Sequence, residues 1–123
     1  MKYFKKSEFA CHGKNCSADG KSGCGVSIVD VELGDVLDDL RGHYNTPITI
    51  TSGYRCEKHN TAVGGAKNSQ HMQGIAADIK VSGKEPSEVY KLLNEKYPNK
   101  YGIGLYKGWV HLDIRTTKAR WNG

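Results

Sequence analysis

No apolar run in the chain approaches the roughly 20 residues that a membrane helix needs. The opening residues, Met1-Lys2-Tyr3-Phe4-Lys5-Lys6, are basic but lead into no apolar stretch, so they do not read as a secretory signal. Interior linkers and internal repeats are also missing, which leaves no reason to divide residues 1–123 into separate domains. A chain of this length suits one domain and can bury a core. Lysine and arginine are scattered, and no aromatic-basic run offers a platform on which bases could stack. The net charge of +5 therefore speaks for solubility and for polyanions in general, cell-wall polymers included, rather than for nucleic acid. A nucleic-acid binder would rest on charge alone. With 25% charged and 37% hydrophobic residues the composition is that of a folded soluble protein, not a disordered one.

The residues that are present divide the chain clearly. Residues 1–25 form a Cys-containing extension expected to pack on the rest. Phe4 and Phe9 flank Lys5-Lys6-Ser7-Glu8, and a Gly- and Ser-rich loop follows. Asp30 is a natural N-cap for a helix over 31–44, in which Leu33, Val36, Leu37 and Leu40 form one apolar stripe that Tyr44 extends. Ile48 to Ser52 has strand composition with alternation, and residues 53–70 read as a long polar loop, a length that is usually functional. Ala76 to Val81 reads as a strand with Ala77 and Ile79 on the core face and Asp78 on the other. Pro86 opens a helix over 86–97, and strands over 102–106 and 109–115 flank the turn Lys107-Gly108. Helices on a small antiparallel sheet make the class α+β.

Two segments carry chemistry. In Ser69-Gln70-His71-Met72-Gln73-Gly74-Ile75-Ala76-Ala77-Asp78, an imidazole and a carboxylate sit close in sequence. In Trp109-Val110-His111-Leu112-Asp113 the strand period puts Trp109, His111 and Asp113 on one face and leaves Val110, Leu112 and Ile114 for the core. His71, Asp78 and His111 can then converge as two imidazoles and one carboxylate. That donor set suits a catalytic zinc ion, which takes three protein ligands and keeps a position for water.

These motifs resemble the M15 metallopeptidases, the zinc D-Ala-D-Ala carboxypeptidases and related peptidoglycan endopeptidases, phage endolysins among them. Thr51-Ser52-Gly53-Tyr54-Arg55 and Tyr101-Gly102-Ile103-Gly104-Leu105-Tyr106 belong to the likeness, which runs from about Asp30 to Arg115 and is nearest to the phage and prophage branch. It implies a hedgehog/DD-peptidase-like fold, a zinc ion on His71, Asp78 and His111, and a peptidoglycan peptide as substrate for a monomeric enzyme without nucleic-acid or membrane partners. Made in the cytoplasm, such an enzyme would reach the wall by a route other than its own signal. Arg55 is implied as the anchor of a substrate carboxylate, or as a group that polarises the scissile carbonyl. Ser69, Gln70 and Tyr54 are further substrate contacts, although Ser69 could equally form a turn. Several family members place a Glu, Asp or His just before the last ligand to take the water's proton. Here Lys107-Gly108-Trp109-Val110 occupies that place. Asp113 is then either the proton shuttle or a carboxylate that orients a ligand, with Glu57 and Glu85 as alternatives for the base. Without a base, the same fold and metal site would make a non-catalytic wall-binding module.

The 4 cysteines, Cys11, Cys16, Cys24 and Cys56, lack the paired short knuckles of a zinc finger. They allow two disulfides, free thiols, or a second, structural zinc ion held by some of Cys11, His12, Cys16 and Cys24. Gly74 reads as a backbone device, and His43 as a cation at a helix C-terminus.

Overall fold

Asp30 sets the first helix. Its carboxylate accepts the Glu32 N–H, and α1 runs Val31–Tyr44 before Asn45 turns left-handed at φ 50. The computed structural model describes residues 1–17, 21, 23–65 and 69–123. After α1 come β1 (Ile48–Ser52), α2 (Glu57–Ala62), β2 (Ala76–Val81), α3 (Pro86–Lys96), β3 (Gly102–Leu105), β4 (Val110–Asp113) and β5 (Ala119–Asn122). The class is α+β, as the patterning implied. The expected loop over 53–70 contains α2, and its residues 66–68 lie outside the described residues, as do 18–20 and 22 of the N-terminal loop.

The strands form one sheet in the order β1-β2-β4-β3-β5. Its β1/β2, β2/β4 and β4/β3 pairs are antiparallel, as expected, whereas β5 adds a parallel edge beside β3. One face of the sheet meets the apolar stripe of α1, with Leu33, Val36, Leu37 and Leu40 buried against Ala77, Ile79, Ile103, Val110 and Leu112. Val89 and Leu93 of α3 join the same core. The N-terminal segment does too: Phe4 and Phe9 are buried there, edge to face at 6.0 Å, around a 3-10 turn at Lys6–Phe9. Phe9 also fixes the chain after β1, because its carbonyl accepts the Tyr54 N–H at 2.8 Å. A Cβ on Gly53 would lie 2.6 Å from the Phe9 Cα, so only glycine lets the two segments approach this closely.

Candidate metal centre and substrate cleft

The register of β2 and β4 sets Asp78 directly opposite His111, so both side chains leave the sheet on one face. His111 Nδ1 lies 3.0 Å from Asp78 Oδ1. His71 arrives from a 3-10 turn, Gln70–Gln73, just before β2. Ser69 caps that turn by accepting the His71 N–H at 3.2 Å, and Gly74 ends it at φ 72, a conformation that suits glycine. His71 Nε2 then stands 3.4 Å from the same Asp78 Oδ1. One ligand atom from each of His71, Asp78 and His111 falls within a 4.8 Å group, so the expected trio is assembled.

Hydrogen bonds on the far side of each ring fix which nitrogen faces inward. The Gly53 carbonyl lies 2.7 Å from His71 Nδ1, which assigns the proton to Nδ1 and leaves the Nε2 lone pair pointing at Asp78. Asp113 Oδ2 lies 2.8 Å from His111 Nε2, which assigns that proton to Nε2 and leaves Nδ1 free. Two lone pairs and a carboxylate oxygen thus face one another, and three acceptors in that arrangement need a cation or protons between them. Where protons rather than a cation fill that space, burial works against an ionised Asp78, but hydrogen bonds from His111 and His71 prevail and bring its pKa down to about 2. Burial likewise disfavours a charged His111, yet hydrogen bonds to Asp113 and Asp78 raise its pKa. A divalent cation on these three atoms satisfies them all, and the N/O donor set fits zinc.

Asp113 does not project into an open groove as the strand pattern suggested. It is 0% exposed. Arg115, two residues on, closes over it with Nε on Oδ1 and NH2 on Oδ2, both at 2.7 Å. Burial opposes ionisation of Asp113, but the His111 and Arg115 hydrogen bonds hold its pKa well below the usual carboxylate range. Gly102 and Gly104 of β3 pair with Asp113 and His111 across β4. A Cβ on Gly102 would lie 2.5 Å from Asp113 Oδ2, and one on Gly104 2.4 Å from Trp121 Nε1. The Gly-x-Gly segment therefore makes room for the Asp113–Arg115 pair and for an indole beside His111.

The trio lies in a cleft of about 540 Å³ whose walls include Arg55, Ser69 and Gln70. Arg55 is half-buried, and its NH2 donates to Ser69 Oγ at 3.0 Å. Burial lowers its pKa, partly offset by the charge of Asp78. Tyr54 is not on the cleft wall. Burial, and after it the thiols of Cys56 and Cys24, raise the pKa of its phenol. Glu57 and Glu85 are exposed at the starts of α2 and α3, away from the cleft. Sequence reasoning missed an aromatic wall. Tyr106 and Trp109 stack at 4.8 Å with their planes 7° apart, and Trp121 Nε1 donates to the Tyr106 hydroxyl at 2.9 Å. Trp109 shares the face of His111, which was an available signal. Trp121 depends on β5, which was not foreseen.

The Sγ atoms of Cys11, Cys16, Cys24 and Cys56 also gather within 4.8 Å, and none is in a disulfide. Cys56 stands where His12 had been considered. His12 lies with His59 along a separate cleft.

The family model described as Peptidase M15 matches residues 2–113. Over 33 residues the chain is 54% identical to the zinc D-Ala-D-Ala carboxypeptidase of Streptomyces albus G, a match covering 27% of this chain and 13% of that protein. No solved structure matches significantly. The likeness read from the motifs is therefore met by a family match over nearly the whole chain, and this protein belongs to the M15 peptidase family.

Proposed function

We propose that the chain is a zinc peptidase that hydrolyses a peptide bond in the stem peptides of bacterial peptidoglycan, as a D-Ala-D-Ala carboxypeptidase or an endopeptidase. One observation carries the reading. His71 Nε2, Asp78 Oδ1 and His111 Nδ1 converge with their acceptor sides inward, each ring locked from behind, in a cleft that also presents a half-buried arginine. Zinc bound there supplies a water whose pKa lies near neutrality and a Lewis acid for the scissile carbonyl. The chain's own residues do the rest. Gly53 and Asp113 hold the two imidazole tautomers. Arg55, pinned at one end to Ser69, offers its remaining N–H groups to a substrate carboxylate, which a planar guanidinium can grip through two bonds. The Tyr106–Trp109 stack gives the peptide a flat apolar wall. The D-Ala-D-Ala specificity named for the Streptomyces relative and the motif likeness to phage enzymes support a wall-directed role.

A second reading, a wall-binding module that keeps the metal, is favoured by one feature. Among the described residues of the cleft wall, Asp78 is the sole carboxylate and both imidazoles belong to the trio, so no spare base is at hand. Zinc content and mass spectrometry of digested peptidoglycan, for the wild type and His71→Ala, separate the two. New wall fragments that vanish in His71→Ala together with one zinc ion establish the peptidase. Zinc with saturable wall binding and no fragments gives the module, and absence of zinc from the trio refutes both.

A further inference from the structure

The four cysteines come from three separate stretches of sequence. Cys11 follows the turn that buries Phe9, and its N–H donates to the Val26 carbonyl at 2.8 Å. Cys16 and Cys24 flank the Gly- and Ser-rich loop. Cys56 sits at the N-cap of α2, just past Arg55. We propose that Cys11, Cys16, Cys24 and Cys56 hold a second, structural zinc ion in a closed tetrahedral site.

The spacing of the sulfurs favours this over disulfides. Zinc–thiolate bonds of about 2.3 Å place neighbouring sulfurs of a tetrahedron about 3.8 Å apart. Cys11 Sγ and Cys56 Sγ are 3.7 Å apart, and all four sulfurs share one 4.8 Å group. A disulfide would draw two sulfurs to about 2.05 Å and leave the other pair to one side. Backbone donors also point at the sulfurs, as suits thiolates: the Cys24 N–H reaches Cys16 Sγ at 3.1 Å and the His59 N–H reaches Cys56 Sγ at 3.4 Å. Gly13 passes close to the cluster: a Cβ there would lie 2.6 Å from Cys16 Sγ and 3.1 Å from the His59 Cβ. Four soft ligands leave no open coordination position for water, so the site is structural and not hydrolytic. It would fasten Cys11, Cys16 and Cys24 to the turn after β1. That turn carries the Gly53 carbonyl that orients His71, and Arg55 on the cleft wall. The proposal stands independently of the reaction assigned to the His71 trio.

The test is zinc content of the full chain, purified with zinc under reducing conditions, for the wild type, His71→Ala and Cys24→Ser. Two zinc ions per chain in the wild type, one remaining in each variant, is the expected result. Cobalt substitution should give thiolate-to-metal charge-transfer absorption that survives His71→Ala and disappears in Cys24→Ser. Should Cys24→Ser fail to fold, alkylation of the wild-type thiols decides. The zinc-loaded protein should react at least roughly an order of magnitude more slowly than the same protein after chelation. Equal alkylation rates, disulfides in the mass spectrum, a bound iron, or no zinc left after His71→Ala would overturn the proposal. One zinc that persists in His71→Ala and is absent from the trio in the wild type would support it while refuting the peptidase reading.

Discussion

Asp113→Asn separates two roles for a carboxylate beside a metal ligand. The side chain keeps its shape but loses one accepting oxygen. With the amide oxygen at the Oδ2 position, the bonds from His111 Nε2 (2.8 Å) and Arg115 NH2 (2.7 Å) survive. The amide NH2 then faces the Arg115 Nε that had donated to Oδ1 at 2.7 Å, and the Arg115 backbone N–H at 3.2 Å. A donor–donor conflict at a fully buried atom costs about 1–3 kcal/mol. The cost should sit near 2 because Arg115 is 32% exposed and water can reach part of it. For a domain of this size that lowers the thermal midpoint by about 5–10 °C. The His111 ring also loses a full negative charge behind it, and zinc affinity should fall about 10–100-fold, the effect of removing a group that orients a ligand.

A proton shuttle would behave differently. Its loss would lower kcat about 10²–10⁴-fold at saturating zinc and leave metal affinity unchanged. The buried, fully engaged carboxylate argues for the orienting role. Zinc affinity by chelator competition, together with kcat at saturating zinc on a stem peptide, reads both quantities. Unchanged zinc affinity with a collapsed kcat would refute the assignment and restore Asp113 as the base.

Arg55→Lys replaces the planar fork by a point charge and should raise KM about tenfold or more for a peptide ending in a free carboxylate. The same peptide with an amidated end should be insensitive to the change, and equal effects on both would remove Arg55 from carboxylate recognition. Gly104→Ala puts a methyl 2.4 Å from Trp121 Nε1, displaces the indole and should cost about 1–3 kcal/mol by thermal unfolding, so an unchanged midpoint would contradict the packing. Because the pKa of His111 is raised in the metal-free fold, protons compete for Nδ1 at a higher pH than they would for a free imidazole. Zinc affinity should therefore fall as pH drops, by up to about tenfold per unit once the ring is protonated. For the metal-free protein, the charged ring stabilises the fold below its unfolded pKa of about 6.5, and this is lost as pH rises through the higher folded value. Asp78 runs the other way: its contribution holds above about 4 and disappears as pH falls towards its folded pKa of about 2. Unfolding free energies across pH, with and without zinc, check both signs.

What could be read from sequence was what leaves a local mark. The Asp30 cap and the i, i+3, i+4, i+7 stripe placed α1 at its observed bounds, Val31–Tyr44. Helix α2 was missed because Glu57-Lys58-His59-Asn60-Thr61-Ala62 has no apolar stripe, and what defines its start is a cysteine cap that also belongs to the thiol group. Strand β5 was missed because Ala119-Arg120-Trp121-Asn122 shows no clean alternation and gains its partners from β3, well away in sequence. His71, Asp78 and His111 were readable as a spaced set. The group behind His71 was not, because a backbone carbonyl at Gly53 looks like any other. Arg115 at i+2 from Asp113 was a readable sign that this carboxylate is held rather than free, since strand spacing sets both on one face.

The short stretch from Gly53 to Cys56 concentrates more of the site than any helix or strand. The Gly53 carbonyl sets the His71 tautomer, Tyr54 is tied to Phe9, the Arg55 N–H donates to the His71 carbonyl at 3.1 Å, and Cys56 joins the thiol group. Such a turn has little apolar surface with which to hold itself in place. Its geometry is instead fixed from outside, by the N-terminal segment on one side and the His71 turn on the other. A loop fixed at both ends this way can present an arginine and a carbonyl to a metal site accurately, whereas a free loop would lose that order to backbone entropy of about 1–2 kcal/mol per residue. Arg55 and the His71 ring are thus positioned in part by Phe9 and the N-terminal segment, which lie off the cleft wall. This accounts for a Cys-rich extension at one end of the chain sharing a turn with a cleft assembled from the middle and the end.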